Sequence, residues 1–291
     1  MAKRALVLGG GGPVGIGWES GLLAGLAEEG IDLSNGDLIC GTSAGSFVGA
    51  QLALGRAPGA IVAPYLNEKE PAESVNPPDL TVLVVKMMDA VTGARPVKEV
   101  RAEIGAWALS TPTISEDEFI ERFAPSLNGE ADGQWPKRPF VCTAVDTADG
   151  SFLVWDKSSG VGLARAVASS CAVPGVYPPI TINGRRYMDG GMRSSTSADV
   201  AKDCDRVVVI AVMSGRGAPT LAEAFRRKLD TELQALKDIG RQVELIVPDA
   251  NSADAFGPNL MDARRRSGAA KAGFQQGRSI AAHIGAFWSE V

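Results

Sequence analysis

The first 54 residues alternate between short apolar segments, glycine-rich turns and apolar helices. Residues 5–8 and 38–40 are apolar and end in glycine, which is typical of buried strands. Residues 18–29 carry leucines at helical spacing, and residues 44–54 form a second apolar segment of helical length. This alternation predicts an α/β fold with a mainly parallel central sheet and helices on both of its faces.

The rest of the chain predicts a helical insertion followed by more strands. Residues 58–127 contain several prolines and two helical segments but no clear strand, so we expect a helical lid over a site. A hairpin is predicted over residues 181–188, turning at Asn183-Gly184. Residues 253–291 are predicted to be mainly helical, and no motif in residues 201–291 indicates a role. We expect residues 1–291 to form a single domain. Further strands are predicted at 140–145, 152–155, 206–212 and 243–247.

The composition argues against several classes of function. The chain has 291 residues, 45% of them hydrophobic, and a net charge of −5, as expected for a folded protein. Lys and Arg form no long basic stripe, so nucleic-acid binding is not expected. Four scattered cysteines and a single histidine argue against a metal site, and no cofactor is expected. The sequence shows no signal peptide or membrane-spanning segment, so we expect a cytoplasmic protein that is free to contact a lipid surface.

The segment Gly41-Thr42-Ser43-Ala44-Gly45 matches the pattern G-x-S-x-G. Because a predicted strand precedes it and a predicted helix follows, the segment fits a nucleophile elbow, a strained turn that exposes the serine hydroxyl. The helix N-terminus behind Ser43 favours negative charge developing there. The simpler alternative is a glycine-rich turn in which Ser43 only caps the helix.

The four glycines Gly9 to Gly12 follow the first predicted strand and precede a helix. Their backbone N–H groups are suited to stabilising an oxyanion or to holding a phosphate. Together with Gly15 they also satisfy G-x-G-x-x-G, the dinucleotide-binding pattern, which expects an acidic residue at the end of the second strand. Asp37 lies at the opposite end of that strand, which weakens the dinucleotide interpretation.

A nucleophilic serine needs a base, and the chain offers two kinds. His283, the single histidine, lies in a late helical segment with no acidic neighbour in sequence before Glu290. Asp189 follows a predicted strand and precedes Gly190-Gly191, which allows close backbone approach and an exposed side chain. The alternative for Asp189 is an ordinary Asp-Gly turn. Asp146 also follows a strand and is the second carboxylate candidate.

These segments, together with residues 168–175 and the stretch running on to Asp189, resemble the patatin-like phospholipases over about residues 5–200. The resemblance implies a three-layer α/β/α sandwich and hydrolysis of lipid acyl esters. It further implies a Ser–Asp dyad of Ser43 and Asp189. The backbone amides near Gly10, Gly11 and Gly12 would form the oxyanion hole.

One departure from the family concerns the residues after the glycines. The family usually places Lys or Arg there, whereas this chain has Pro13 and Val14. The sequence therefore favours a serine acyl-ester hydrolase more strongly than it favours a phospholipid substrate. Two alternatives remain, a dinucleotide-binding oxidoreductase and a non-catalytic binding protein on a hydrolase fold.

Overall fold

A computed structural model describes residues 2–67, 77–92, 95–127, 134–214 and 219–289. Within these ranges eight strands form one sheet, and helices cover it on both faces. The strands are β1 Arg4–Leu8, β2 Leu38–Gly41, β3 Phe140–Asp146, β4 Phe152–Trp155, β5 Ile180–Ile182, β6 Arg185–Asp189, β7 Arg206–Ile210 and β8 Gln242–Ile246. The helices are α1 Gly12–Glu28, α2 Ala44–Ala53, α3 Pro58–Leu66, α4 Thr81–Thr92, α5 Val97–Ser110, α6 Glu116–Glu121, α7 Leu163–Ser170, α8 Pro219–Asp238, α9 Ala250–Phe256 and α10 Arg266–Ser289.

Alternating side chains of the central strands build two separate cores, one on each face of the sheet. Leu6 and Leu8 of β1 belong to the core beneath α1, α2, α7 and α10. Ala5 and Val7 of the same strand belong to the core beneath α8. This arrangement is the predicted three-layer α/β/α sandwich, and the fold prediction is confirmed.

The strand order is β5-β6-β3-β2-β1-β7-β8, with β4 paired to β3 outside this path. Strands β3, β2, β1, β7 and β8 are mutually parallel, so their carboxyl ends meet at one edge of the sheet. Strands β4 and β6 both run antiparallel to β3. The sheet is therefore mainly parallel, as predicted, with hairpins at one end.

Strands β2 and β6 meet end to end along the same side of β3. Cys142 pairs with Gly41 of β2 and with Trp155 of β4, so β2 and β4 lie on opposite sides of β3. Ala144 pairs with β4 as well and with Asp189 of β6, which places β6 on the β2 side. The carboxyl ends of β2 and β6 therefore face each other across two positions of β3.

The structure gives the unassigned region 201–291 clear structural roles. Helix α8 covers the second face of the sheet, and α10 packs along α1. A Cβ at Gly21 would lie 2.0 Å from the Ala270 carbonyl oxygen, and one at Gly277 would lie 2.2 Å from that of Leu22. Such close backbone contact needs glycine on both helices, because any larger residue would separate them. The position of α1, which begins in the glycine loop, thus depends on α10.

Candidate active site

Ser43 lies at a strained turn between β2 and α2. Its φ and ψ are 53° and −119°, outside the regions that residues other than glycine favour, and α2 begins at the next residue. A Cβ at Gly45 would lie 2.2 Å from the Leu8 carbonyl oxygen, so the helix start crosses directly over the end of β1. This close crossing is what the second glycine of G-x-S-x-G allows.

Two consecutive residues at the end of α7 hold the Ser43 peptide from both sides. The Ser43 N–H donates to Ser170 Oγ at 3.0 Å, and the Cys171 thiol donates to the Ser43 carbonyl oxygen at 3.1 Å. Burial raises the pKa of the Cys171 thiol, which keeps it protonated as a donor. The segment 168–175, which resembles the family, therefore contacts the strained turn directly through Ser170 and Cys171.

The glycine loop runs beside Ser43 and is fixed by backbone hydrogen bonds. The Gly9 N–H donates to the Ile210 carbonyl oxygen at 3.0 Å, and the Gly10 N–H donates to that of Ser195 at 2.7 Å. In the described part of the chain the N–H groups of Gly11 and Gly12 have no hydrogen-bond partner. The amide of Gly10 is thus engaged, and the amides of Gly11 and Gly12 are the free donors next to Ser43.

Asp189 is brought to Ser43 by the facing ends of β2 and β6. Its side chain is 3% exposed, and Oδ1 accepts the Gly191 N–H at 2.7 Å. Among the described residues Oδ2 has no hydrogen-bond partner within normal distance. Burial raises the pKa of Asp189 to about 7, although the nearby Ser43 hydroxyl and the Gly191 amide both act to lower it.

The other two base candidates lie elsewhere. His283 is largely exposed on α10, and its Nε2 is 2.8 Å from Glu244 Oε1 of the edge strand β8. His283 has no acidic neighbour in sequence before Glu290, but the fold brings Glu244 to it from 39 residues away. Asp146 is buried in an ion pair with Arg185 and accepts the Ala148 N–H at 2.8 Å. Neither side chain lines the cavity at Ser43.

A strongly apolar cavity opens at Ser43, Asp189 and Gly10 to Gly12. Within the described ranges Asp189 is the one charged residue of its lining. In the same ranges no three acidic, histidine or cysteine side chains cluster in a way that would hold a metal ion. Much of the apolar lining comes from Leu83, Val84 and Met87 of α4, Leu221 and Phe225 of α8, and Met261.

Comparisons with known proteins bear on the same region. The family model of patatin-like phospholipases matches residues 6–202. This range includes Ser43, Asp189 and Ser195, the residues with polar side chains in the cavity lining. Patatin-like phospholipase domain-containing protein 7 of Rattus norvegicus is 32% identical over 213 residues, 72% of this chain and 13% of that protein. Lysophospholipase NTE1 of Meyerozyma guilliermondii is 29% identical over 215 residues, 72% of this chain and 12% of that protein.

The chain thus spans only 12–13% of the length of these curated relatives. Among solved structures, VipD from Legionella pneumophila matches with a TM-score of 0.43 and 13% identity, covering 97% of this chain and 67% of that one. The family match extends over two thirds of the sequence, from the glycine loop through Ser43 to beyond Asp189. The chain belongs to the patatin-like phospholipase family.

Proposed function

We propose that this protein is a serine hydrolase that cleaves acyl esters of lipids, with Ser43 as nucleophile and Asp189 as base. The observation that carries the proposal is that the strained serine and the buried carboxyl group open into one apolar cavity beside free backbone amides. The names of the relatives, which include phospholipases and a lysophospholipase, support a lipid ester as the substrate.

The geometry supports a two-step mechanism through an acyl-enzyme. Asp189 accepts the proton of the Ser43 hydroxyl as Oγ attacks the ester carbonyl carbon, and it then donates that proton to the leaving alcohol. A water molecule, deprotonated by Asp189, hydrolyses the acyl-enzyme and restores Ser43. The amides of Gly11 and Gly12 stabilise the negative oxygen in both steps. With a pKa near 7, Asp189 is substantially ionised at neutral pH and is still basic enough to accept the Ser43 proton.

The cavity favours recognition of the acyl chain over recognition of a phosphate. Its lining in the described residues contains no Lys or Arg, and the glycine loop carries Pro13 and Val14 where the family usually places a basic residue. We therefore propose that most of the binding free energy comes from the acyl chain, at about 0.8 kcal/mol for each buried CH₂ group.

A panel of p-nitrophenyl esters from acetate to dodecanoate tests this function. We expect kcat/KM to rise about threefold to fourfold for each added CH₂ group until the cavity is full. In parallel, a monoacylglycerol and a lysophospholipid with the same acyl chain should be hydrolysed at rates within about tenfold of each other. No hydrolysis of any ester, with Ser43 unreactive, would instead favour a non-catalytic binding protein.

Helix α4 is apolar on both of its sides, and this supports the predicted lid. Leu83 and Met87 line the cavity, whereas Val82 and Val85 are 51% and 63% exposed.

Among the described helices none has the length and hydropathy of a membrane span. We propose that α4 covers the site and that its outer valines contact the lipid surface that carries the substrate.

The double variant Val82→Ser/Val85→Ser tests the contact of α4 with lipid. We expect about tenfold slower hydrolysis of vesicle-borne lipid, because two apolar side chains no longer enter the lipid surface. Hydrolysis of a soluble short-chain ester should stay within about twofold, since neither valine lines the cavity. Ile239→Ser is the matched control, because Ile239 is 53% exposed and follows the last residue of α8, at the end of the helix away from the cavity. Equal losses on vesicles for both variants would contradict the proposed role of α4.

A further inference from the structure

Glu19 is a carboxyl group buried inside the molecule without an ionic partner. It lies in α1, two turns after the glycine loop, and is 0% exposed. Among the described residues neither carboxyl oxygen makes a hydrogen bond of normal geometry, although the Gly9 backbone amide lies close enough to lower its pKa. A buried carboxylate in this state would cost several kcal/mol, so the position calls for a specific reason.

The surroundings of Glu19 favour its uncharged form. Burial raises the pKa of Glu19 well above its usual value, and only the backbone amide of Gly9 acts in the opposite direction. Helix α1 packs against α2, α3, α10 and the short turn Ala263–Arg265. In that turn Arg264 pairs with Asp262, and Arg265 is exposed. Within the described ranges, Arg266 stacks on Tyr65, Arg278 pairs with Glu29, His283 pairs with Glu244, and Lys271 is exposed.

The peptide that Glu19 approaches connects the two catalytic segments. The Gly9 N–H donates to the Ile210 carbonyl oxygen, and the Gly9 carbonyl oxygen accepts the Gly45 N–H at 3.0 Å. Gly45 belongs to the turn that carries Ser43, and Gly9 leads directly into Gly10 to Gly12. A shift of the Gly9 peptide would therefore move the free amides relative to Ser43.

We propose that Glu19 is a positioning residue whose uncharged carboxyl group packs beneath Gly9 and fixes the glycine loop relative to Ser43. The inference rests on the proposed hydrolase function. As the pH rises through the raised pKa of Glu19, its ionisation places an unpaired charge beneath Gly9, displaces the loop and lowers kcat. Activity therefore has an alkaline limit that Glu19 sets.

Two variants separate the polar contact from the charge. Glu19→Leu removes the polar group, and we expect kcat on a soluble ester to fall about tenfold or more with KM within about twofold, because the loop positions the transition state. Glu19→Gln keeps the shape and neutrality of the protonated acid and should restore most of the lost kcat. As the pH rises to this limit the wild type should lose kcat reversibly, whereas Glu19→Gln should keep it.

Thermal unfolding supplies a readout that needs no substrate. The unfolded chain releases the Glu19 proton near pH 4.3, whereas the native state keeps it to higher pH. Between these two pKa values the native state binds more protons, so the stability of the wild type falls as the pH rises. The introduced glutamine carries no such proton, and the Tm of Glu19→Gln minus that of the wild type should increase with pH above about 4.3.

Three results would overturn the inference. A folded Glu19→Gln protein as slow as Glu19→Leu would show that the charged form is needed. An unchanged alkaline limit in Glu19→Gln, or a Tm difference that does not vary with pH, would show that Glu19 does not act as a neutral acid. If the wild type hydrolyses no ester, the proposed function is wrong. If the Tm trend is nevertheless as expected, Glu19 is a buried neutral acid that affects stability alone.

Discussion

Ser43→Ala is expected to lower kcat for a p-nitrophenyl ester by at least about 10⁴-fold while the protein stays folded. The hydroxyl forms the covalent bond to the acyl group, and no other described hydroxyl lies at a strained strand–helix turn beside free amides. Steady-state kinetics with circular dichroism as the folding control measures the effect.

Two further serine variants sharpen this test. Ser195→Ala removes a hydroxyl from the same cavity but keeps the carbonyl oxygen that accepts the Gly10 N–H, so its activity should stay within about tenfold of the wild type. Ser43→Gly should be as inactive as Ser43→Ala. Its free energy of unfolding should be about 1 kcal/mol higher than that of Ser43→Ala, because glycine adopts a φ of 53° without strain. Residual activity of Ser43→Ala above that of Ser195→Ala would exclude Ser43 as the nucleophile.

Asp189→Asn should lower kcat by about 10²- to 10⁴-fold, because the asparagine amide cannot accept the Ser43 proton. In the wild type, kcat/KM should rise with pH through the pKa of Asp189, at about 7, and then level off until the upper limit set by Glu19. A histidine base with an ordinary pKa of about 6.5 would give a similar profile. Because burial raises the pKa of Asp189 close to that of an ordinary histidine, the pH profile cannot tell Asp189 from His283 as the base. Variants of the two residues can.

The same variant should be more stable than the wild type at neutral pH. Asp189 titrates at about 7 in the folded protein, whereas its unfolded value is about 3.9. In this window the native state binds more protons, so rising pH destabilises the wild type, by up to about 4 kcal/mol above pH 7. The introduced asparagine has no such proton. Urea unfolding at pH 4 and pH 8 measures the difference in the free energy of unfolding between Asp189→Asn and the wild type. An equal difference at both pH values would contradict a buried carboxyl group that is neutral in the folded protein.

Local sequence signals were sufficient for much of the fold and for the position of Ser43. The strand–turn–helix around Gly41 and Gly45 is a short-range pattern in which glycine, apolar residues and spacing all agree. The hairpin turn at Asn183-Gly184 is equally local, and both residues have the positive φ that such a two-residue turn requires.

Features that depend on long-range packing could not be predicted from local patterns. The meeting of Ser43 with Asp189 was expected only from the family resemblance, because it follows from β2 and β6 sharing one side of β3. The contact of Glu244 with His283 and the engagement of the Gly10 amide by Ser195 have the same origin. Glu19 is a different case, because an acidic residue in the middle of the apolar part of α1 was a visible signal of an unusual buried group.

The rate at which a fluorophosphonate probe labels Ser43 tests the proposed dyad most directly, since it reports the nucleophile and its base without any assumption about the substrate. Labelling is followed by intact mass and by peptide mapping in the wild type, Asp189→Asn and His283→Ala proteins. We expect a single adduct on Ser43, formed at similar rates in the wild type and His283→Ala and at least about 10²-fold more slowly in Asp189→Asn. Labelling of Asp189→Asn at the wild-type rate, or loss of labelling in a folded His283→Ala protein, would contradict the Ser–Asp dyad.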